Sequence, residues 1–208
     1  MIKALIFILS IIIPLSTAKA LSIIEPEARV AVMDFGTHKG TSDPDIDLVN
    51  AEHTTSEYVI ARLNECTKFV VIDKDFAAHI FSEENLNTIG LIDPLTARRI
   101  GEILNVRYII YGNVISVGLA ENDNGFGDIN INSKEVKAGL SVRIMDVETG
   151  RILMAVKGEG KSKIASVGLV EDFFLIGNVK VGQTSVHNAL QKAAFNAVDL
   201  LVQQLYGR

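Results

Sequence analysis

The amino-acid sequence predicts an α/β fold, in which a mixed β-sheet is layered with helices in a single domain that carries two inserted loops or hairpins. Two observations lead to this prediction. In the first half, short β-rich apolar runs alternate with amphipathic helical patterns, an order that needs crossover connections and therefore some parallel pairing. In the second half, polar and apolar residues alternate on both sides of a Glu-Thr-Gly turn, a pattern typical of an antiparallel hairpin.

The first strand is predicted at Val30–Phe35, a compact apolar run that ends at a glycine, and the second at Phe69–Ile72. Between them, apolar residues recur at three- or four-residue spacing, which indicates a helix with one face towards the core. An aspartate can cap its start. The helix is therefore expected to begin after Asp45 or Asp47 and to run to about Asn64.

Two further helices are predicted before the central strand. The first covers Phe76–Leu86, and the second begins at Pro94, where Asp93 can act as N-cap and the missing proline N–H costs no hydrogen bond. Asn105 is a suitable left-handed stop for the second helix. Its side facing the core is expected to carry Leu95, Ile100, Ile103 and Leu104.

The central strand is predicted at Arg107–Val117, because Tyr108–Tyr111 form a continuous β-rich run of the kind found in strands covered on both faces. The polar, glycine-rich segment Leu119–Glu135 follows and is expected to be a solvated hairpin tip, the first of the two inserts. The hairpin around the Glu-Thr-Gly turn pairs Val136–Val147 with Arg151–Val156.

The second insert, Lys161–Gln183, precedes a C-terminal amphipathic helix that Ser185 can cap. Four consecutive large apolar residues in this insert would point to both faces of a strand, so alternation cannot bury them all. Exposed apolar clusters of this kind usually mark interaction sites. We therefore predict a contact with another subunit or with a membrane; the alternative is that the segment covers the domain's own sheet. The residues of this predicted contact are Phe173, Phe174, Leu175 and Ile176.

No catalytic, cofactor-binding or metal-binding residues are predicted. The four histidines have no metal-ligand spacing, and aligning Gly125 with the glycine of a calcium loop leaves Ala120 and Ile131 at ligand positions. The segment Gly158–Ser162 contains only the end of a Walker A motif, since Ala155 occupies the position of its first glycine. The sequence thus gives no indication of an enzyme.

Composition narrows the choice of compartment and partners. The net charge is −5, from 25 acidic and 20 basic residues, and without a basic tract this argues against nucleic acid as a partner. Cys66 is the only cysteine, so an internal disulfide is excluded. Residues 1–20 match a secretory signal peptide, with Lys3, a short apolar run and a cleavage site at Ala18–Ala20. An uncleaved N-terminal anchor is the alternative.

Four parts of the sequence resemble the curli production assembly/transport component family, the CsgG-like proteins. They are VAVMDF at Val30–Phe35, the pair Phe69–Leu86 and Pro94–Val114, the hairpin Leu140–Leu153, and the ending AAFNAVDLLVQQL at Ala193–Leu205. None is a catalytic signature. Together they extend over most of residues 21–208.

The resemblance implies a non-enzymatic periplasmic domain that takes part in export or assembly of curli-type or other surface structures. It implies a homo-oligomeric ring, contacts with other envelope proteins and contact with the outer membrane, where two inserted hairpins of each family subunit build a pore. This chain departs from that pattern. No cysteine lies near the expected cleavage site, so a lipid anchor is not implied, and the first insert is too polar for a membrane hairpin.

Two other functions fit the same sequence. One is a scaffold or regulator of envelope machinery, such as an activator of cell-wall synthases. The other is a small-ligand-binding domain.

Overall fold

The structure is a computed structural model that describes residues 27–207 except residues 39, 45, 47, 49, 84–92, 127–128 and 165–182; side chains of residues 121–133 are also not described. Its elements, in chain order, are β1 (Ala28–Val32), α1 (Ala51–Cys66), β2 (Phe69–Val71), α2 (Lys74–Glu83), α3 (Pro94–Leu104), β3 (Tyr108–Phe126), β4 (Ile129–Asp146), β5 (Arg151–Lys163) and α4 (Gln183–Tyr206).

The described strands form one mixed sheet in the order β2-β1-β3-β4-β5. Strand β1 pairs in parallel with β2 and with β3, while β3, β4 and β5 are antiparallel neighbours. The predicted α/β class is therefore confirmed, and β3 lies at the centre of the sheet as the apolar run at Tyr108–Tyr111 indicates.

Helices pack on both faces of the sheet. Helices α1 and α4 cover one face, in a large apolar cluster that includes Leu140, Val142 and Ile144 of β4. Helices α2 and α3 cover the other face, in a smaller cluster that reaches only as far along β3 as Tyr111. On this second face, most of the antiparallel part of the sheet is therefore not covered by α2 or α3.

Helix α4 approaches β5 closely because two glycines lie beneath it. A Cβ atom on Gly158 would lie 2.1 Å from the Ala193 carbonyl oxygen, and one on Gly160 would lie 2.0 Å from the Ala189 carbonyl oxygen. The glycines of the partial Walker A motif thus serve helix packing. The prediction that this strand ends at Val156 is wrong, since β5 continues to Lys163.

The first helix begins later than predicted. The predicted caps Asp45 and Asp47 lie outside the described residues, and α1 starts at Ala51 after Asn50, whose backbone is left-handed with φ of 56°. The preceding chain is instead held along β3 by two parallel bridges, between residues 36 and 113 and between residues 42 and 117. Those bridges hold parts of the segment against β3 before the helix begins.

Helix α3 confirms its predicted ends and half of its predicted core face, since Ile100 and Leu104 are buried. Asp93 accepts hydrogen bonds from the backbone N–H groups of residues 95 and 96, and Asn105 is left-handed. Leu95, however, is 81% exposed, and Ile103 is also exposed. Val147 lies so close to Gly101 that a Cβ there would be 2.4 Å away. The side of the helix towards the sheet therefore carries Ala97 and Gly101 beside Ile100 and Leu104, in place of Leu95 and Ile103.

The first insert is a hairpin, as predicted, and its described residues are strand almost to the tip. Strands β3 and β4 extend through it and remain paired up to Phe126 and Ile129, with one bulge between Val114 and Ser116. The ladder of an antiparallel hairpin is formed by backbone groups, so it can extend through a polar segment. Helix α2, predicted at Phe76–Leu86, begins instead at Lys74 and runs to Glu83; Leu86 lies outside the described residues.

Candidate functional site

The predicted contact formed by Phe173, Phe174, Leu175 and Ile176 lies outside the described residues and stays a prediction. Among the residues that the structure describes, no group of three or more His, Cys, Asp or Glu side chains is placed to hold a metal ion. Cys66 packs partly buried against the core, and burial raises the pKa of its thiol, which disfavours the reactive thiolate.

One polar cluster, which we call the Lys74 network, connects α1, α2 and the end of β1. The Lys74 Nζ atom lies 2.6 Å from Asp34 Oδ1 and 3.3 Å from Glu57 Oε1. It also donates a hydrogen bond to Ser56 Oγ and lies 2.9 Å from His53 Nδ1. The ammonium group thus has partners for each of its three N–H bonds.

Local sequence explains the position of this network. Asp34 follows a parallel strand, and Lys74 is the first residue of the helix after the next parallel strand, so both lie at the carboxyl edge of the sheet. Burial raises the pKa of Asp34, but the hydrogen bond and positive charge of Lys74 outweigh it and hold the pKa below its usual value of 3.8. The Lys74 network is therefore electrostatically closed, by which we mean that carboxylates of the same chain balance the charge of Lys74.

A second polar region lies on the opposite side of β3. A cavity of about 450 Å³, which we call the Arg143 cavity, is lined by residues of the loop after β1 and of β3, β4 and β5. The polar side chains that line it are those of His38, Thr41, Asn113, Ser141, Arg143 and Lys157.

Strand register brings these side chains together. Asn113 of β3 pairs with Ser141 of β4, and Ser141 pairs with Lys157 of β5, so the three lie in one row across the sheet. Arg143 follows two residues along β4, directly across from Tyr111. Since Leu140, Val142 and Ile144 face α4, alternation places Ser141 and Arg143 on the opposite face.

The Arg143 cavity is electrostatically open, by which we mean that no carboxylate of its described lining balances the charge of Arg143. Arg143 Nη1 and Asn113 Oδ1 are both buried without a hydrogen-bond partner in the described structure. Two of the described lining residues, Arg143 and Lys157, carry a positive charge, and the described lining contains no carboxylate. An anionic group with a neighbouring hydrogen-bond donor would satisfy both buried atoms.

Neither region was predicted from the sequence as a site. The carboxylates of the Lys74 network are spread over separate elements, and Arg143 occupies the polar position of a strand whose alternation indicates solvent. Strand order and register, rather than spacing along the chain, decide which side chains meet across a sheet, so only the fold reveals these contacts.

None of the helices formed by the described residues is both long and apolar enough to span a membrane. A search of curated proteins found no match to this sequence.

Several solved structures are similar to this chain at low sequence identity. The C-terminal domain of LpoB from Salmonella enterica is 16% identical, with a TM-score of 0.45 over 65% of this chain and 84% of that domain. Lipoprotein GNA1162 from Neisseria meningitidis is 16% identical, with a TM-score of 0.48 over 65% of this chain and 83% of the other. The PelC dodecamer from Paraburkholderia phytofirmans is 12% identical, with a TM-score of 0.43 over 91% and 94% of the two chains.

The family model described as "Curli production assembly/transport component CsgG" matches residues 18–208, which is most of the sequence and includes all nine elements of the described fold. The chain therefore belongs to the CsgG family.

Proposed function

We propose that this protein is a non-catalytic component of the cell envelope that takes part in secretion or assembly of curli-type or other surface structures. It acts by oligomerisation and by contacts with other envelope proteins, after export and removal of residues 1–20. The observation that carries the proposal is the match of residues 18–208 to the CsgG family model. The described part of the chain adds an extended hairpin and an open polar cavity, which suit binding rather than catalysis.

The extended hairpin supports a role in protein contacts. Beyond the pair formed by Ala120 and Glu135, the register of β3 and β4 continues to Phe126 and Ile129, whereas the pairing of β4 with β5 begins at Glu135. Its outer part is thus a two-stranded ribbon within the described residues. Such a ribbon is marginally stable in water, so contact with a neighbouring chain would stabilise it.

Deletion of the gene tests the proposal directly. The amount of fibre subunit on the cell surface should fall in the deletion strain and return when the intact gene is supplied. Unchanged surface structures would contradict the proposal. If changes in cell-wall synthesis appear in their place, the regulator of envelope machinery becomes the better function.

A shortened hairpin tests the contact role. Ala120 and Glu135 face each other in the ladder, so an Asn-Gly turn can join them and replace residues 121–134 without altering the sheet below. We expect this variant to melt as a folded protein but to sediment as smaller species and to fail to restore the surface structures. A shortened protein that assembles and functions normally would show that the hairpin makes no needed contact.

The predicted apolar contact at Phe173–Ile176 is tested by Phe174→Asp combined with Leu175→Ser. Phe76→Asp combined with Leu95→Ser is the matched control, because Phe76 and Leu95 are exposed apolar residues on helices. The first variant should stay folded and lose oligomers or membrane association in sedimentation, while the control keeps them. If the first variant unfolds, the segment belongs to the core and the contact assignment is wrong.

A further inference from the structure

We infer that the Arg143 cavity binds the carboxylate of an acidic peptide segment in a partner protein, with Arg143 pairing the carboxylate and Asn113 accepting a hydrogen bond from the peptide backbone. The inference concerns the chemistry of a binding site and does not depend on which surface structure the protein helps to assemble. It therefore goes beyond the proposed function.

The Arg143 guanidinium is partly buried and has no carboxylate partner in the described structure. Charged groups removed from water are normally paired, because an unpaired buried charge has a large desolvation cost. Three other arginines have carboxylate partners although they are partly or largely exposed: Arg62 lies 2.8 Å from Asp199, Arg98 lies 3.0 Å from Glu102, and Arg107 lies 2.9 Å from Asp146. Arg143 has a buried Nη1 atom without a partner in the described structure. An anion is the kind of partner that would satisfy this nitrogen.

The described lining of the Arg143 cavity is positively charged. The chain as a whole has more acidic than basic residues, yet the described lining of the cavity has two cationic side chains, Arg143 and Lys157, and no acidic one. Like charges in one cavity repel each other, and a bound anion would relieve that repulsion. The planar fork of a guanidinium matches the two oxygens of a carboxylate.

The Asn113 Oδ1 atom is also buried and has no hydrogen-bond donor in the described structure. An unsatisfied Oδ1 atom needs an N–H or O–H donor, which a simple carboxylate lacks. A peptide supplies a backbone N–H close to each acidic side chain, so it can satisfy both buried atoms together. The described lining is also mostly polar, whereas pockets for small molecules are mostly apolar. These features favour a peptide over a free small acid.

The test uses a fluorescein-labelled, blocked six-residue peptide with three glutamates and three glycines, and the same peptide with glutamines in place of the glutamates. Fluorescence anisotropy is measured with the full protein at about 0.15 M salt, where attraction between distant surface charges is largely screened. We expect saturable binding of the glutamate peptide and at least about tenfold weaker binding of the glutamine peptide. No saturable binding of the glutamate peptide, or equal binding of the two peptides, would overturn the inference.

Charge-matched variants separate this site from general attraction. Arg143→Gln should weaken binding by at least about tenfold, while Arg98→Gln, which removes the same charge on α3, should change it by less than about twofold. Lys157→Gln changes an exposed cavity residue and should also weaken binding, which gives a second reading of the same site. Equal effects of the cavity variants and Arg98→Gln would overturn the inference.

Competition identifies the source of the carboxylate. Unlabelled glutamate peptide should displace the probe, whereas acetate and inorganic phosphate at the same anion concentration should not. Displacement by acetate or phosphate at that concentration would show a small-anion site and overturn the peptide assignment. Self-association of the protein that disappears in Arg143→Gln would identify the segment's source as a second copy of this chain and would support the carboxylate chemistry.

Discussion

Lys74 and Arg143 are two partly buried cations of the same domain, and they have opposite surroundings. The Lys74 ammonium group is 2.6 Å from Asp34 Oδ1 and also contacts Glu57, so the chain itself balances its charge. Arg143 has a buried nitrogen with no partner in the described structure and shares its cavity with Lys157. A cation already balanced within the fold stabilises the fold, whereas an unbalanced one is available to a ligand.

Topology explains why the two regions differ. Lys74 begins the helix after a parallel strand, at an edge where α1, α2 and the end of β1 converge and bring carboxylates with them. Arg143 lies in the antiparallel half, next to the point where the apolar cluster under α2 and α3 ends at Tyr111. No second element of the described structure brings a carboxylate to Arg143.

Removing the charge of Lys74 is expected to have the largest effect on the free energy of unfolding. Lys74→Met would leave Asp34 and Glu57 without their cation, and we expect the free energy of unfolding to fall by about 1–3 kcal/mol, since both carboxylates keep some contact with water. Urea unfolding measures the change. Lys157→Met in the open region is the matched control and should cost less than about 0.5 kcal/mol. Equal losses in the two variants would remove the distinction between the regions.

The surroundings of Arg107 are intermediate between those of Lys74 and Arg143. It is about half exposed but pairs with nearly buried Asp146 at 2.9 Å and also contacts Glu148. We expect Arg107→Gln to lower the free energy of unfolding by about 1 kcal/mol, because water screens part of the interaction. The same urea titration measures it. If Arg107→Gln lowers the free energy of unfolding as much as Lys74→Met does, solvent exposure does not determine which of the two cations contributes more to stability.

A smaller effect is the pH dependence that Asp34 produces. Its pKa is lowered in the fold, so the stability from its charged form is present above the unfolded value of 3.8 and is lost as pH falls through the lower folded pKa. Urea unfolding between pH 6 and pH 2 should therefore show a steeper loss below about pH 4 in the parent protein than in Asp34→Asn. Parallel pH curves for the two proteins would contradict the role of Lys74 in holding that carboxylate charged.

The sequence predicts the parts of this fold that depend on neighbouring residues. Asp93, Pro94 and Asn105 mark both ends of α3 because capping and backbone conformation act within a few residues. The apolar run of β3 predicts a central strand for the same reason. By spacing alone, Gly158 and Gly160 resemble the end of a phosphate-binding motif, because their close contacts are with Ala193 and Ala189 of α4, far along the chain.

The candidate site depends on distant residues in the same way. Asp34 and Lys74 meet because two parallel strands end at one edge of the sheet, which no spacing along the chain reveals. Arg143 is a harder case, because its defining property is the lack of a partner among side chains that only strand register brings near it. The alternation that predicts its buried neighbours Val142 and Ile144 predicts only a solvent-facing arginine at position 143.

Urea unfolding of Arg143→Gln in the absence of any partner tests whether Arg143 serves a ligand rather than the fold. Because the guanidinium has no partner to lose, the free energy of unfolding should stay within about 0.5 kcal/mol of the parent value or rise above it. A decrease of more than about 1 kcal/mol would mean that Arg143 already stabilises the isolated fold, and this result would contradict the claim.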